Sequence, residues 1–262
     1  MATPIPPIEA TNTGKLTRYL DTPTAYDLWS EVYDTDGNIL QALDTIEMRS
    51  LLPKFLSQIP FPQPWKLVDL GCGTGRNYLQ LLDVPGATIL GLDTSSKMLE
   101  IARTRLNERM AVLEREPQKA KEFELLWYDM LSSAPMPTIA LNADALISTL
   151  VLEHIPQYDF FQAISRVLKA GGLALVTNMH PDMGKISQAG FVDPKTGEKV
   201  RPQSYAHALE DVIEEARKQG FEIVGEVLER AVDEKTSEVL GVRAKKWIGI
   251  NVWFGVCFRK RS

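Results

Sequence analysis

The chain is short of the residues that build disulfide scaffolds, metal centres and nucleic-acid surfaces. Its 262 residues include only two cysteines, Cys72 and Cys257, and three histidines. Neither cysteine has CxxC or Cys/His spacing, so no metal site is expected, and two free buried thiols in a reducing compartment are the natural reading. No apolar stretch is long enough to span a bilayer, and no charged segment leads into an apolar one at the N-terminus. A cytoplasmic protein with no membrane partner is expected. The net charge is −5 with both signs interspersed; phosphate binding calls for a basic face, so no nucleic-acid partner is expected. The terminal RKRS reads as a solvated tail. There is no GxxxxGK[ST] sequence, which leaves ATP hydrolysis without support. Repeats and dividing linkers are also lacking.

What is present fits one substantial core, since 44% of the residues are hydrophobic. Residues 1–23, rich in Pro and Thr, read as a disordered arm, and 24–262 as a single domain. Tyr26, Trp29 and Tyr33 recur at helical spacing. A second helix is expected over 39–57, ended by IPFPQP. From Trp65 the pattern changes to short apolar runs alternating with helices. Strands are expected at KLVDL, 87–93, 123–130, from 143, and at LALVTNMH. A helix is expected at 74–83, another after Thr94 or Ser95 as N-cap, and a third closed by Gly171–Gly172. The charged stretch Glu108–Glu124 reads as a solvated helix face and loop. After a polar segment, 179–203, come a helix, a strand at FEIVGEVLERAV and a long last strand, the final two expected as an antiparallel edge pair. Alternating strands and helices imply a mostly parallel α/β sheet with helices on both faces.

In such sheets ligands bind beyond the carboxyl ends of the strands. Three sequence features fall there. Gly71, Gly73 and Gly75 allow a sharp strand-to-helix turn and close backbone approach to a ligand. Asp93, 22 residues beyond Gly71, ends the next strand, where a carboxylate accepts both ribose hydroxyls; a helix-capping aspartate is the plainer alternative. Asp129 follows the third strand, where its carboxylate and the Met130 amide suit an adenine ring, or where it is merely a solvated acid. The dinucleotide fingerprint G-x-G-x-x-G/A would need a small residue where Arg76 stands, which counts against an NAD-dependent oxidoreductase.

VDLGCGTGR resembles motif I of the class I S-adenosylmethionine-dependent methyltransferases. LGLDTSSKMLE is similar to that family's ribose-binding segment, RVLKAGGLALVT to the approach to its fifth strand, and AYDLWSEVYD to the N-terminal lid helix of its small-molecule branch. The resemblance spans roughly 24–262 and extends to fungal members that serve secondary metabolism. It implies a Rossmann-like sheet of seven strands with an antiparallel last strand and lid helices over 24–57. It implies S-adenosylmethionine as cofactor and S-adenosylhomocysteine as product. Asp69 and the turn with Cys72 would lie near the methionine part, Asp93 with Thr94 and Met98 near the ribose, and Asp129 with Met130 at the adenine. Thr149 and Leu150 would border the sulfonium, and Tyr26, Trp29 and Tyr33 would fold over the ligands, unless they only pack a core.

The implied reaction is methyl transfer to a small-molecule acceptor at O, N or S. Alternatives are a non-catalytic S-adenosylmethionine-binding regulator and a protein or RNA methyltransferase. No Asn-Pro-Pro-aromatic sequence follows the fourth strand, which speaks against the branch that methylates nucleobase or glutamine amino groups. His154 and His180, each just after a strand, are the candidate acid–base residues, with a structural role as the alternative. His180 also opens the 179–203 segment, where specificity loops are expected. His207 is expected near the surface, in a helix.

Overall fold

The computed structural model describes residues 17–113 and 122–262. The main sheet is built from β2 (Lys66–Leu70), β3 (Thr88–Asp93), β4 (Glu122–Trp127), β5 (Ala143–Thr149), β6 (Leu168–Met179) and β11 (Asn251–Lys260), flanked by β9 (Phe221–Ile223) and β10 (Leu228–Ala231). Its order is β4-β3-β2-β5-β6-β11-β10, with β9 also paired to β11. β2 to β6 are mutually parallel, and β11 runs antiparallel to β6, β9 and β10. This is the Rossmann-like, mostly parallel sheet with an antiparallel last strand.

Side-chain alternation sorts the apolar residues of each strand to the two faces. Val68, Leu70, Leu90 and Leu92 join Phe160 and Ile164 of α5 (Gln157–Val167) and Val212 of α7 (Leu209–Lys218) in one core cluster. Leu67 and Ile89 face the other way, to Met48 and Phe55 of α2 (Ile39–Leu56), the short α3 (Tyr78–Leu81), and Leu99 and Ala102 of α4 (Ser96–Leu113). Helices on both sides of the sheet therefore bury both faces of the central strands, and the strand ends are left for chemistry.

The structure departs from the sequence reading in several places. The expected single strand over 221–232 is two, β9 and β10, so the sheet has eight strands rather than seven; Gly225, at φ +78°, breaks the run. α8 (Glu234–Leu240) and a 3₁₀ turn (Val242–Trp247) separate β10 from β11, where no intervening helix was expected. The helix expected over 74–83 shrinks to α3, because the glycine turn occupies its first half. α5 ends at Val167, not at the glycine pair; β6 starts at Leu168, and Gly171–Gly172 sit where its register against β5 shifts. Part of the expected arm is ordered: β1 (Thr17–Leu20) and the start of α1 (Thr22–Trp29) precede Thr24, while residues 1–16 lie outside the described residues. Of the charged stretch, 114–121 also lie outside them.

The 179–203 segment is not a plain loop. It carries α6 (Pro181–Ile186), β7 (Phe191–Val192) and β8 (Lys199–Pro202). β8 is the middle strand of a small second sheet, β1-β8-β7, and α1 packs against it, with Ala25 and Trp29 buried beside Phe191 and Val200. Sequence periodicity could not show this, because the three strands are two to four residues long and β1 pairs with β8 across 182 positions of sequence (Thr17 with Lys199). Among the described residues no helix is long and apolar enough to cross a membrane.

Candidate active site

Beyond the carboxyl ends of β2, β3 and β5 lies a cleft of about 620 Å³. The β2–α3 turn forms its floor. Gly71, Gly73 and Gly75 have φ of +79°, +54° and +86°, which L side chains adopt only at a cost. The amides of Gly71 and Cys72 both donate to the Leu92 carbonyl, at 2.7 and 3.0 Å, tying the turn to β3. Each glycine answers a different need. A Cβ on Gly71 would sit 2.2 Å from Val151 Cγ2, and one on Gly75 would touch Ala102 of α4 at 3.4 Å, whereas one on Gly73 would meet nothing within 4 Å. Gly73 is also the member of the pair Gly73/Gly75 that lines the cleft.

Asp93 closes β3. Its carboxylate accepts the Gly73 amide at 2.7 Å and the Ser95 amide at 2.8 Å. Burial pushes its pKa up to about 6, opposed by those amides. Ser95, rather than Thr94, caps α4, its hydroxyl accepting the Met98 amide at 3.1 Å and donating to Asp27 of α1 at 2.6 Å. So Asp93 is not the helix cap, and it points its acid at the glycine turn.

Asp69 lies one layer deeper. It is 1% exposed and lines neither this cleft nor the second cavity beside it; among the described residues neither carboxylate oxygen has a well-formed hydrogen bond, the Tyr78 amide being a donor close by. Burial raises its pKa to about 7; the Arg76 guanidinium opposes this and the Asp93 carboxylate adds to it. Because the folded pKa exceeds the ordinary 3.8, the native state holds this proton more tightly than the unfolded chain does. The associated stability is complete below the unfolded pKa and is lost as pH rises through about 7. Replacing Asp69 by Asn removes that loss. Between pH 5 and pH 8 the thermal midpoint of Asp69→Asn should gain on the wild type by roughly 5–10 °C, from about 2–3 kcal/mol. Midpoints that move in parallel across that range would show that Asp69 is ionised normally.

Asp129 and Met130 line the cleft just past β4, in a turn where Asp129 accepts the Leu131 amide at 2.9 Å. β4 stops at Trp127, so the acid stands two residues beyond the strand, not at its end. Thr94, Thr149 and Leu150 also line the cleft. Leu150 has φ +59°, an unusual conformation for a branched residue, of the kind held at functional sites by surrounding structure. Thr149 accepts the Asn77 amide group at 2.9 Å. Arg76, which excluded the dinucleotide pattern, pairs with fully buried Asp44 at 2.6 Å, and Asp44 also accepts Thr177 and Trp253. That network fastens α2 beneath the turn.

A second cavity, of about 820 Å³, adjoins the first, and Tyr26, Tyr33 and Leu150 line both. Trp29 lines only this second cavity, stacked on Phe191 at 5.2 Å with its indole N–H on Asp36. The aromatic trio thus packs mutually, at 5.3 to 5.9 Å between centroids, and also walls the cavities. Met98 and Cys72 do neither: both are buried in apolar clusters, and burial raises the Cys72 thiol well above its ordinary value.

The histidines separate clearly. His154 is buried and lines the cleft. Its Nδ1 is 2.8 Å from the Gln203 carbonyl, which can only accept, so Nδ1 carries the proton and Nε2 accepts the Tyr26 hydroxyl at 2.8 Å. Glu153 Oε1 lies 3.6 Å from the same Nε2. His180 lines neither cavity. Its Nδ1 accepts the Asp182 amide as the cap of α6, and Nε2–H donates to Glu229 at 2.7 Å, so no ring nitrogen is left for an acceptor. His207 precedes α7 and is buried rather than superficial, its Nε2–H shared by the Leu152 and Ile155 carbonyls. Burial lowers its pKa.

Sequence reasoning missed Thr22, Tyr128, Val151 and Ile155 in the cleft and Glu153, Lys199, Arg243, Lys246 and Trp247 in the second cavity. Val151 and Ile155 could have been reached by extending the fourth-strand motif. The cations come from separate segments that no local pattern connects.

The order of this sheet, with a glycine turn after its first parallel strand and acids past the next two, defines a Rossmann-like nucleoside-binding fold. Comparison with known proteins narrows it. A methyltransferase-domain family matches residues 68–176. An uncharacterised methyltransferase of Emericella nidulans is 48% identical across 93% of this chain and 92% of its own length. A trans-aconitate 2-methyltransferase of Methylobacterium nodulans is 35% identical across 46% of this chain and 41% of its own. In fold, the chain is similar to a magnesium protoporphyrin IX methyltransferase of Synechocystis solved with S-adenosylhomocysteine, with TM-score 0.57 and 16% identity over 89% and 94% of the two chains. The chain belongs to the class I S-adenosylmethionine-dependent methyltransferase family. It is an enzyme of that class, with S-adenosylmethionine as its cofactor. The residues present fit that cofactor: a strand-end carboxylate, a glycine whose missing Cβ leaves open space, and a buried carboxylate without a well-formed hydrogen bond beneath them.

Proposed function

We propose that the protein methylates a small molecule held in the second cavity, with the cofactor in the first. The observation that carries this reading is the junction: two cavities meet at Tyr26, Tyr33 and Leu150. The second is roofed by the chain's own α1 and small sheet. In this reading Asp93 accepts the ribose hydroxyls, Asp129 and the Met130 amide meet the adenine, and Gly71 and Gly73 let the chain approach the methionine part. Asp69, which burial keeps protonated until the pH approaches 7, lies behind the turn. Thr149 and Leu150 border the methyl group, and α1 serves as the lid.

S-adenosylmethionine supplies a methyl group on a positively charged sulfur. The residues' task is to align the acceptor in line with it and exclude water, a proximity effect of roughly 7–11 kcal/mol. Tyr26 holds its hydroxyl at the junction. Burial, with Tyr33 and Glu153 nearby, keeps its pKa well above the ordinary value, so it remains a donor. His154, fixed in one tautomer by Gln203, can take a proton from the acceptor through the Tyr26 hydroxyl, and Glu153 stabilises the imidazolium that forms.

Purified protein with methyl-labelled S-adenosylmethionine and a panel of small acids, phenols, amines and thiols tests the reading; transfer to one class supports it, and transfer only to protein or RNA would replace it. With an acceptor in hand, His154→Ala should lower kcat roughly 100-fold or more, and Tyr26→Phe somewhat less, in each case by more than cofactor affinity changes. Equal kcat in both variants would remove the relay. His180→Ala should lower thermal stability and leave kcat intact.

A further inference from the structure

The second cavity has one charged end and one aromatic end. Lys199 projects from β8 and is half-buried, and Arg243 and Lys246 stand exposed at the cavity mouth on the 3₁₀ turn before β11. No carboxylate among the described residues pairs with Lys199. Burial holds its ammonium below the ordinary value, and its charged neighbours, Arg201, Lys246 and Arg243, push the same way. Arg201 is two residues along the same face of β8 and is spent on Gln188 and Tyr19, with its Nε unpartnered. Arg243 donates to the backbone carbonyl of Asp36, and Lys246 lies 5.0 Å from the Trp247 ring centre.

The cavity also holds two carboxylates, and neither neutralises this cluster. Asp36 accepts the Trp29 indole and the Asn38 amide. Glu153 stands with His154 at the cofactor end. In a chain of net charge −5, three cations lining one end of the cavity with Arg201 beside them, none of the four in an ion pair among the described residues, are a local reversal. A half-buried ammonium without a partner is costly, and an arriving anion would remove that cost through charge-assisted hydrogen bonds.

We propose that the acceptor is a carboxylate-bearing small molecule, its carboxylate anchored by Lys199, Arg243 and Lys246 and its methylated atom at Tyr26. The proposal rests on the reading of this cavity as the acceptor site. None of the three cations lines the cofactor cleft, so the carboxylate they hold is an anchor, distal to the reacting atom. The walls between, Trp29, Met179, Met183 and Trp247, suit an apolar body. Phosphate is the poorer match. It is usually cradled by free backbone amides, and at the nearby N-terminus of α2 the Leu40 and Gln41 amides are taken by the Asn38 side chain.

The test is calorimetric titration of the full chain loaded with S-adenosylhomocysteine. The probes are succinate, citrate, benzoate and phenylacetate, with the neutral amides of the last two and inorganic phosphate beside them. At least one carboxylate should bind tenfold or more tightly than the amides and phosphate. Lys199→Met and Lys246→Met should each weaken it at least tenfold, Lys199→Arg should restore most of the loss, and S-adenosylhomocysteine affinity should stay within twofold in all three. Binding of no carboxylate, equal binding of amide, tighter binding of phosphate, or variants that bind as well as wild type would each overturn the proposal. Failure of the unaltered protein to bind S-adenosylhomocysteine would overturn the cofactor assignment of the first cavity, a result separable from all of these.

Discussion

Asp93→Ala is expected to weaken S-adenosylmethionine binding by about 2–4 kcal/mol, thirty- to a thousandfold in Kd, because two charge-assisted hydrogen bonds to the ribose would be lost. The same carboxylate holds the Gly73 and Ser95 amides, so the variant also loosens the turn. Asp93→Asn separates the two effects, since its amide oxygen keeps one acceptor without the charge. The pH dependence gives a further handle. With a pKa of about 6 in the free protein, Asp93 is protonated in acid and must lose that proton to accept two hydroxyls. Wild-type affinity should therefore fall as pH drops through 6, while that of Asp93→Asn should stay flat. Titration by fluorescence or calorimetry from pH 5 to 8 reads both. An Asp93→Ala protein with wild-type affinity would mean that the ribose sits elsewhere.

Gly71→Ala should be the most damaging single methyl in the glycine turn. It places a side chain at φ +79° and a Cβ 2.2 Å from Val151 Cγ2. Left-handed strain of about 1–2 kcal/mol adds to overpacking of about 1–3 kcal/mol. The thermal midpoint should fall by roughly 5–15 °C. Gly73→Ala is the control. Its φ is also positive, yet its Cβ would meet no atom within 4 Å. That variant should lose little beyond the backbone strain, but should bind S-adenosylmethionine poorly, because the added methyl enters the space a ligand would use. If Gly73→Ala proved the less stable of the two, the division of labour within the turn would be wrong.

Much of the frame was legible because it depends on local rules. An apolar run, a glycine turn and a helical repeat carry their own periodicities, and the turn after β2 needs glycines because its φ values are positive. The two acids past β3 and β4 were legible because parallel strands present their ends on one edge. Arg76 was read correctly as breaking the dinucleotide pattern, although its buried pairing with Asp44 was not visible. The histidines were not separable from sequence. His154 and His180 both follow strands, but Gln203, 49 residues away, leaves one ring nitrogen of His154 facing Tyr26, while Glu229 occupies the last one of His180.

By itself the sequence determined the alternating α/β plan, the glycine turn and the acids beyond the strands, all of which follow from φ preferences and burial over a few consecutive residues. Only the tertiary structure decided what stands opposite that edge. The small sheet joins residues 17–20 to 199–202, and the second cavity draws its cations from β8 and from the turn before β11. Charges from such distant segments meet only after the chain has packed, and no local pattern records which of them will lack a partner.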